Sequence, residues 1–150
     1  MSPPADPIAE PFGPHSVPAR ARSLALEPHP EGGWYRRVWT SPAQLVGGRP
    51  AASAILFLLA PGERSAPHVV DADELWLWHG PGPLTLLVED EAVVLDAGNP
   101  QALVPAGVRQ GTGMVDAEVL VSCVVSPGFQ WSGFALAPED GAAESSYPPA

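Results

Sequence analysis

The sequence predicts an all-β domain, an antiparallel sandwich or barrel, and three observations carry that prediction. Its 150 residues include 20 prolines and 15 glycines, which break long helices: proline lacks the amide hydrogen, and glycine loses the most backbone entropy on ordering. The apolar residues fall in short β-branched and aromatic runs of strand length. Turn residues separate those runs at short, fairly regular spacing.

The elements follow in order. Residues 1–22 read as a flexible proline-rich arm containing His15, and residues 138–150 as a small, acidic, flexible tail. The domain between them is 23–137. Ala19–Leu26 has room for a turn or two of helix before Pro28. Trp34–Thr40 is the first strand, with Trp34 and Tyr35 on opposite faces. Ala51–Leu59 carries the run AILFLL, whose continuity implies burial on both faces. A helix competes there, but Pro50 and Pro61-Gly62 bracket the run. Glu74–His79 (ELWLWH) is a short strand, and Pro83–Val88 with Glu91–Leu95 form a hairpin about Glu89-Asp90. Ala102–Val104, Ala117–Val125 and Phe129–Leu136 bring the total to about eight strands.

The formal net charge is −10, from 17 acidic and 7 basic residues. That sign repels phosphate backbones, so nucleic acid is not an expected partner. No apolar stretch is long enough to span a bilayer, and no basic region followed by an apolar stretch opens the chain. A cytoplasmic protein without membrane contact is expected. Cys123, the one cysteine, sits in an apolar run and reads as a buried small hydrophobe. Phosphate-binding glycine loops, a GxSxG elbow and an HExxH helix are all absent.

The chemistry concentrates in two places. His68 and Glu74 bracket a five-residue turn; if the chain reverses there, both point into one cavity from adjacent strands. Such a pair can do acid–base work, or form half of a metal site. The bland alternative is a turn with solvated acids and a surface histidine. Alternation puts Trp76 and Trp78 on the Glu74 face, where two indoles would desolvate the carboxyl and raise its pKa. His79 reads as a strand-end residue. The second place is PHPEGGWYRR, where His29 lies between prolines and Gly32-Gly33 follow Glu31. A double glycine permits close backbone approach or positive φ, which would hold Glu31 in a fixed position.

Four stretches together resemble the cupin_5, or DUF985, group of small cupins: LALEPHPEGGWYRR, AILFLLAPGERSAPHVVDADELWLWHGPGPL, LVPAGVRQGT and VVSPGFQWSGFAL. The resemblance implies a jelly-roll barrel, the antiparallel double-stranded β-helix, as a homodimer around a small-molecule site. Against the superfamily's first motif, G-x5-H-x-H-x3-E-x6-G, Gly62, His68 and Glu74 are in register, while Val70 stands at the second histidine. Against the second, P-x-G-x2-H, Pro105 and Gly107 match and Gln110 replaces the histidine. Two of the three usual metal histidines are missing, so no metal cofactor is expected. The alternative is one divalent ion on His68, Glu74 and Gln110.

Three functions follow from this. The first is a metal-independent isomerase or epimerase acting on a sugar-like or small carbonyl substrate. There His68 abstracts a proton, Glu74 sets its tautomer, and Tyr35 or Glu31 donates on the other side. Trp76, Trp78, Gln110 and Ser65 would contact the substrate, with Trp76 stacking on it. The second is a metal-dependent oxygenase or hydrolase. The third is a ligand-binding or sensing module without chemistry.

Overall fold

The computed structural model describes residues 16–138; His15 and the two ends of the chain lie outside them. One helix, α1 (Ala19–Ser23), precedes eleven strands: β1 (Glu27–Pro28), β2 (Trp34–Thr40), β3 (Ser53–Leu59), β4 (His68–Val70), β5 (Asp73–Pro81), β6 (Leu84–Val88), β7 (Glu91–Leu95), β8 (Gln101–Val104), β9 (Gln110–Thr112), β10 (Val119–Ser126) and β11 (Phe134–Leu136). They make two antiparallel sheets, ordered β1-β2-β3-β10-β5-β8 and β11-β4-β9-β6-β7.

Strand alternation sorts the side chains of the larger sheet onto two faces. Phe57 and Leu59 of β3, Trp76 of β5 and Val119, Val121 and Cys123 of β10 face inward, against Leu84, Leu86 and Leu95 of the smaller sheet. On the outer face of the larger sheet Leu58, Trp34 and Leu120 are covered by Ala21 of α1 and by Leu26. The continuous apolar run of β3 is thus buried on both sides because a helix lies over its outer face. α1, which begins ahead of Ser23, packs on the domain through Ala21.

Two expectations are corrected. The stretch 129–136 is not one strand: Trp131–Gly133 is a 3-10 turn and only Phe134–Leu136 pairs, with β4. The glycine there sits against the Asp71 carboxylate, where a Cβ would collide. The strands carrying His68 and Glu74 are not neighbours either. β4 belongs to the smaller sheet and β5 to the larger, so Asp71-Ala72 carries the chain across the barrel instead of folding it into a hairpin. The hairpin at Glu89-Asp90 is present, pairing Val88 with Glu91.

Candidate active site

The site begins with the glycine pair. Gly32 and Gly33 have φ of 106° and 73°, a region that L side chains rarely adopt. A Cβ on Gly32 would collide with the Arg64 carbonyl oxygen, and one on Gly33 would come within 2.8 Å of the Leu58 carbonyl oxygen. Only glycine lets this turn press onto the chain ahead of β4. There the Ala66 amide donates to the Glu31 carbonyl oxygen at 2.6 Å, which brings the Glu31 side chain beside His68.

The resulting contact is close. His68 Nε2 lies 3.1 Å from Glu31 Oε2, and both residues are buried. His68 Nδ1 lies 2.7 Å from the Ala66 carbonyl oxygen. A carbonyl can only accept, so Nδ1 carries the proton and Nε2 presents its lone pair to Glu31. Ala66, and not Glu74, sets the tautomer. Burial pushes the Glu31 carboxyl up to about 8, against an opposing effect of the Ser65 hydroxyl. Burial likewise lowers the pKa of His68, more than Glu74 and Ala66 raise it. The pair therefore rests as a carboxylic acid donating to a neutral imidazole, with one proton shared between them.

His29, weighed in the sequence but not chosen, completes this wall. Its Nδ1 accepts the Glu31 amide hydrogen at 3.1 Å, so its proton lies on Nε2. Burial, then His68, holds its pKa down to about 3. Its ring meets Tyr35 edge-on, with centroids 4.5 Å apart.

Glu74 is held from the other sheet. Gln110 Nε2 donates to Glu74 Oε1 at 3.0 Å, and Gln110 Oε1 accepts from Trp76 Nε1 at 2.8 Å. An indole N–H only donates, so it fixes which end of the amide faces the carboxyl. The Cys123 thiol also bonds to Glu74. Burial raises the Glu74 pKa to about 7; His68 opposes this and Glu31 adds to it. Cys123 is indeed buried, and its thiol pKa is pushed well up by burial and the two carboxyls. It also lines the cavity, which its apolar sequence context gave no reason to expect.

Glu31, His68, Glu74 and Tyr35 line one cavity of about 320 Å³, together with His29, Arg37, Val70, Cys123, Phe129, Trp131 and Phe134 among others. Trp76, Trp78, Gln110 and Ser65 do not line it. Trp76 is wholly buried in the core, behind Gln110, which excludes it from stacking on a ligand. Trp78 Nε1 donates to the Gly82 carbonyl oxygen. The aromatic wall comes instead from Tyr35 and the 127–134 segment. His79 is an exposed strand residue bonded to Ser122.

A metal ion would need converging donors. Among the described residues no three of His, Cys, Asp and Glu are grouped to hold one. Val70 offers no donor atom, and turning the Gln110 oxygen toward an ion would set its NH2 against the Trp76 N–H. The set His68, Glu74 and Gln110 therefore does not fit a metal ion.

Among the described residues no helix is long and apolar enough to cross a membrane. No curated protein matches the chain. Among solved structures, protein SO0799 from Shewanella oneidensis is 40% identical, with a TM-score of 0.69 over 78% of this chain and 81% of that one. A hypothetical protein from Leishmania major is 32% identical, with a TM-score of 0.67 over 77% and 83%. A cupin-2 domain protein from Rhodospirillum rubrum, 11% identical, shares the fold at a TM-score of 0.58 over 77% of this chain and 71% of that one. The two facing sheets are thus the cupin double-stranded β-helix. The model of Cupin_5, described as cupin superfamily (DUF985), matches residues 19–137, and the chain belongs to that family.

Proposed function

We propose that the protein is an acid–base enzyme of the isomerase or epimerase type, moving a proton on a carbon beside a carbonyl in a sugar-like or small carbonyl substrate. The observation that supports this reading is the 3.1 Å contact between Glu31 and His68 inside the cavity. A proton shared between two buried groups that line a cavity is both available and replaceable, which is what reversible proton transfer needs. Glu74, from the other sheet, has a pKa of about 7 and so exists in both forms near neutrality.

In the forward step the Glu74 carboxylate takes the carbon-bound proton, and the electron pair moves onto the carbonyl oxygen as an enolate. The Glu31–His68 pair then returns its shared proton to the same carbon from the other side, as the enolate electron pair moves back to that carbon and the carbonyl re-forms. The reverse reaction exchanges the two roles. Gln110 holds Glu74 in place through Oε1.

The test is solvent-deuterium incorporation, followed by NMR, across a panel of aldoses, ketoses and small keto acids. Exchange beside the carbonyl is expected, falling about a hundredfold or more in His68→Ala and in Glu74→Gln. Exchange undiminished in His68→Ala would overturn the reading.

A further inference from the structure

We infer that the cavity selects a small molecule bearing a primary ammonium group, such as an amine-substituted carbonyl compound, with the ammonium seated between Glu31 and Glu74 against the aromatic wall. Calling that molecule a substrate rests on the acid–base reading above; its binding does not.

The first observation is a charge imbalance inside the barrel. Glu31 and Glu74 are 7% and 6% exposed and line the same cavity. Glu31 lies close enough to raise the pKa of Glu74. Buried carboxyls are normally paired with a cation, and among the described residues this cavity offers none at depth. His29 and His68 are neutral there. Arg37 lines the mouth, where Nη2 donates to the Phe129 carbonyl oxygen at 3.0 Å. The remaining titratable groups, Glu27, Tyr35 and Cys123, are acids. With no positive partner the two carboxyls hold their protons to higher pH than free ones, and a ligand ammonium would supply that partner.

The second observation is the wall itself. Trp131 stands near-perpendicular to Tyr35, Phe129 and Phe134, at 80°, 88° and 80°. Rings set at right angles around a cavity are the arrangement that recognises alkylammonium groups, because each face carries negative potential. Phe129 already receives one cation, the Arg37 guanidinium at 5.9 Å from its centroid.

The alternatives are weaker on the same grounds. A carboxylate or phosphate ligand would face two glutamates. A neutral polyol could bond to them but would leave their charge uncompensated once they ionise. A metal ion needs three or more converging donors, whereas an ammonium is satisfied by two acceptors and an aromatic face.

The test uses the full chain and an isosteric pair: serinol (2-amino-1,3-propanediol) against glycerol, which differ by an amine in place of a hydroxyl. NMR titration and calorimetry are run at about pH 6.5 and about pH 8, the span over which the two carboxyls ionise. Serinol should bind at least tenfold more tightly than glycerol. It should release protons, seen as a binding heat that varies with the ionisation enthalpy of the buffer, and it should bind more tightly at the higher pH. Each released proton can add up to about tenfold in affinity per pH unit. The Glu31→Gln, Glu74→Gln double variant should lose the preference for the amine. Should that variant fail to fold by circular dichroism, Trp131→Leu at the half-exposed mouth replaces it; it should weaken serinol binding several-fold more than glycerol binding.

Equal binding of the two compounds, absence of serinol binding, or binding without proton release overturns the inference. The two readings fail separately. Deuterium exchange on neutral sugars without amine binding removes the inference alone. Amine binding with no exchange on any carbonyl compound removes the catalytic reading alone.

Discussion

Trp76 Nε1 donates to Gln110 Oε1 at 2.8 Å, and this one bond decides which face of the amide meets Glu74. With Phe in place of the indole the amide oxygen loses its donor in a dry environment. Trp76→Phe should therefore lower stability by about 2 kcal/mol or more, from the orphaned acceptor and the lost ring volume. Urea denaturation measures this. A loss below about 0.5 kcal/mol would mean that the amide is oriented by something else.

The turn that carries Glu31 makes a sharper prediction. Gly32→Ala adds strain at a φ of 106° and drives a Cβ into the Arg64 carbonyl oxygen. Gly48→Ala meets the same kind of strain, at 85°, with nothing within 4 Å. The first should cost about 3 kcal/mol or more and the second about 1 kcal/mol. Thermal melts of the two variants side by side separate collision from backbone strain.

Stability should fall as pH rises through neutrality. Glu31 and Glu74 have pKa values of 4.5 when free and about 8 and about 7 in the fold. The folded state therefore binds more protons than the unfolded one across that range. The contribution is complete below 4.5 and is lost as pH rises through the folded values. His29 works the other way, lowered from 6.5 to about 3, and His68 shifts in the same sense, so their cost disappears above 6.5. Between about pH 6.5 and about pH 8 only the carboxyls, among these shifted groups, still titrate. The unfolding free energy should decline over that interval, and Glu31→Gln should flatten the decline. A wild-type curve that rises there would contradict the assignment.

Arg49 clamps the aromatic wall from outside. Its guanidinium holds both Asp71 oxygens, at 2.7 and 3.0 Å, while Nε donates to the Gly128 carbonyl oxygen at 2.9 Å. Lysine cannot reproduce that fork. Arg49→Lys should cost about 1–2 kcal/mol and loosen the wall, read as faster quenching of Trp131 fluorescence by acrylamide. A variant with Trp131 replaced supplies the background from the other tryptophans.

The sequence made the strands legible because each run of apolar residues was short, β-branched and closed by proline or glycine. It misplaced β4 relative to β5, since a two-residue link between strands looks the same whether it makes a hairpin or crosses to another sheet. His68, Glu74 and Glu31 were each visible as candidates. Their pairing was not, because the Glu31–His68 contact depends on the Ala66 amide meeting the Glu31 carbonyl, a link between backbones that no residue type encodes. Gly32-Gly33 was the available signal: two adjacent glycines announce close approach, though not to which segment. Trp76 deceived for a simpler reason. Alternation put it on the Glu74 face, and depth along that face then buried it behind Gln110.

The cavity's chemistry and its shape come from separate stretches of the chain. The proton-bearing groups sit on residues 29–31, on β4 and β5, and on β10. Three of the lining rings, Phe129, Trp131 and Phe134, belong to one short segment that follows β10. That segment is tethered where the Gly128 amide donates to the Pro50 carbonyl oxygen and the Phe129 amide to the Ser53 hydroxyl, and by the Arg49 fork. Exchanging residues 129–134 would alter which molecules fit while leaving the acid–base groups where they are. On the acid–base reading proposed above, the barrel would be a fixed reagent beneath an interchangeable selector.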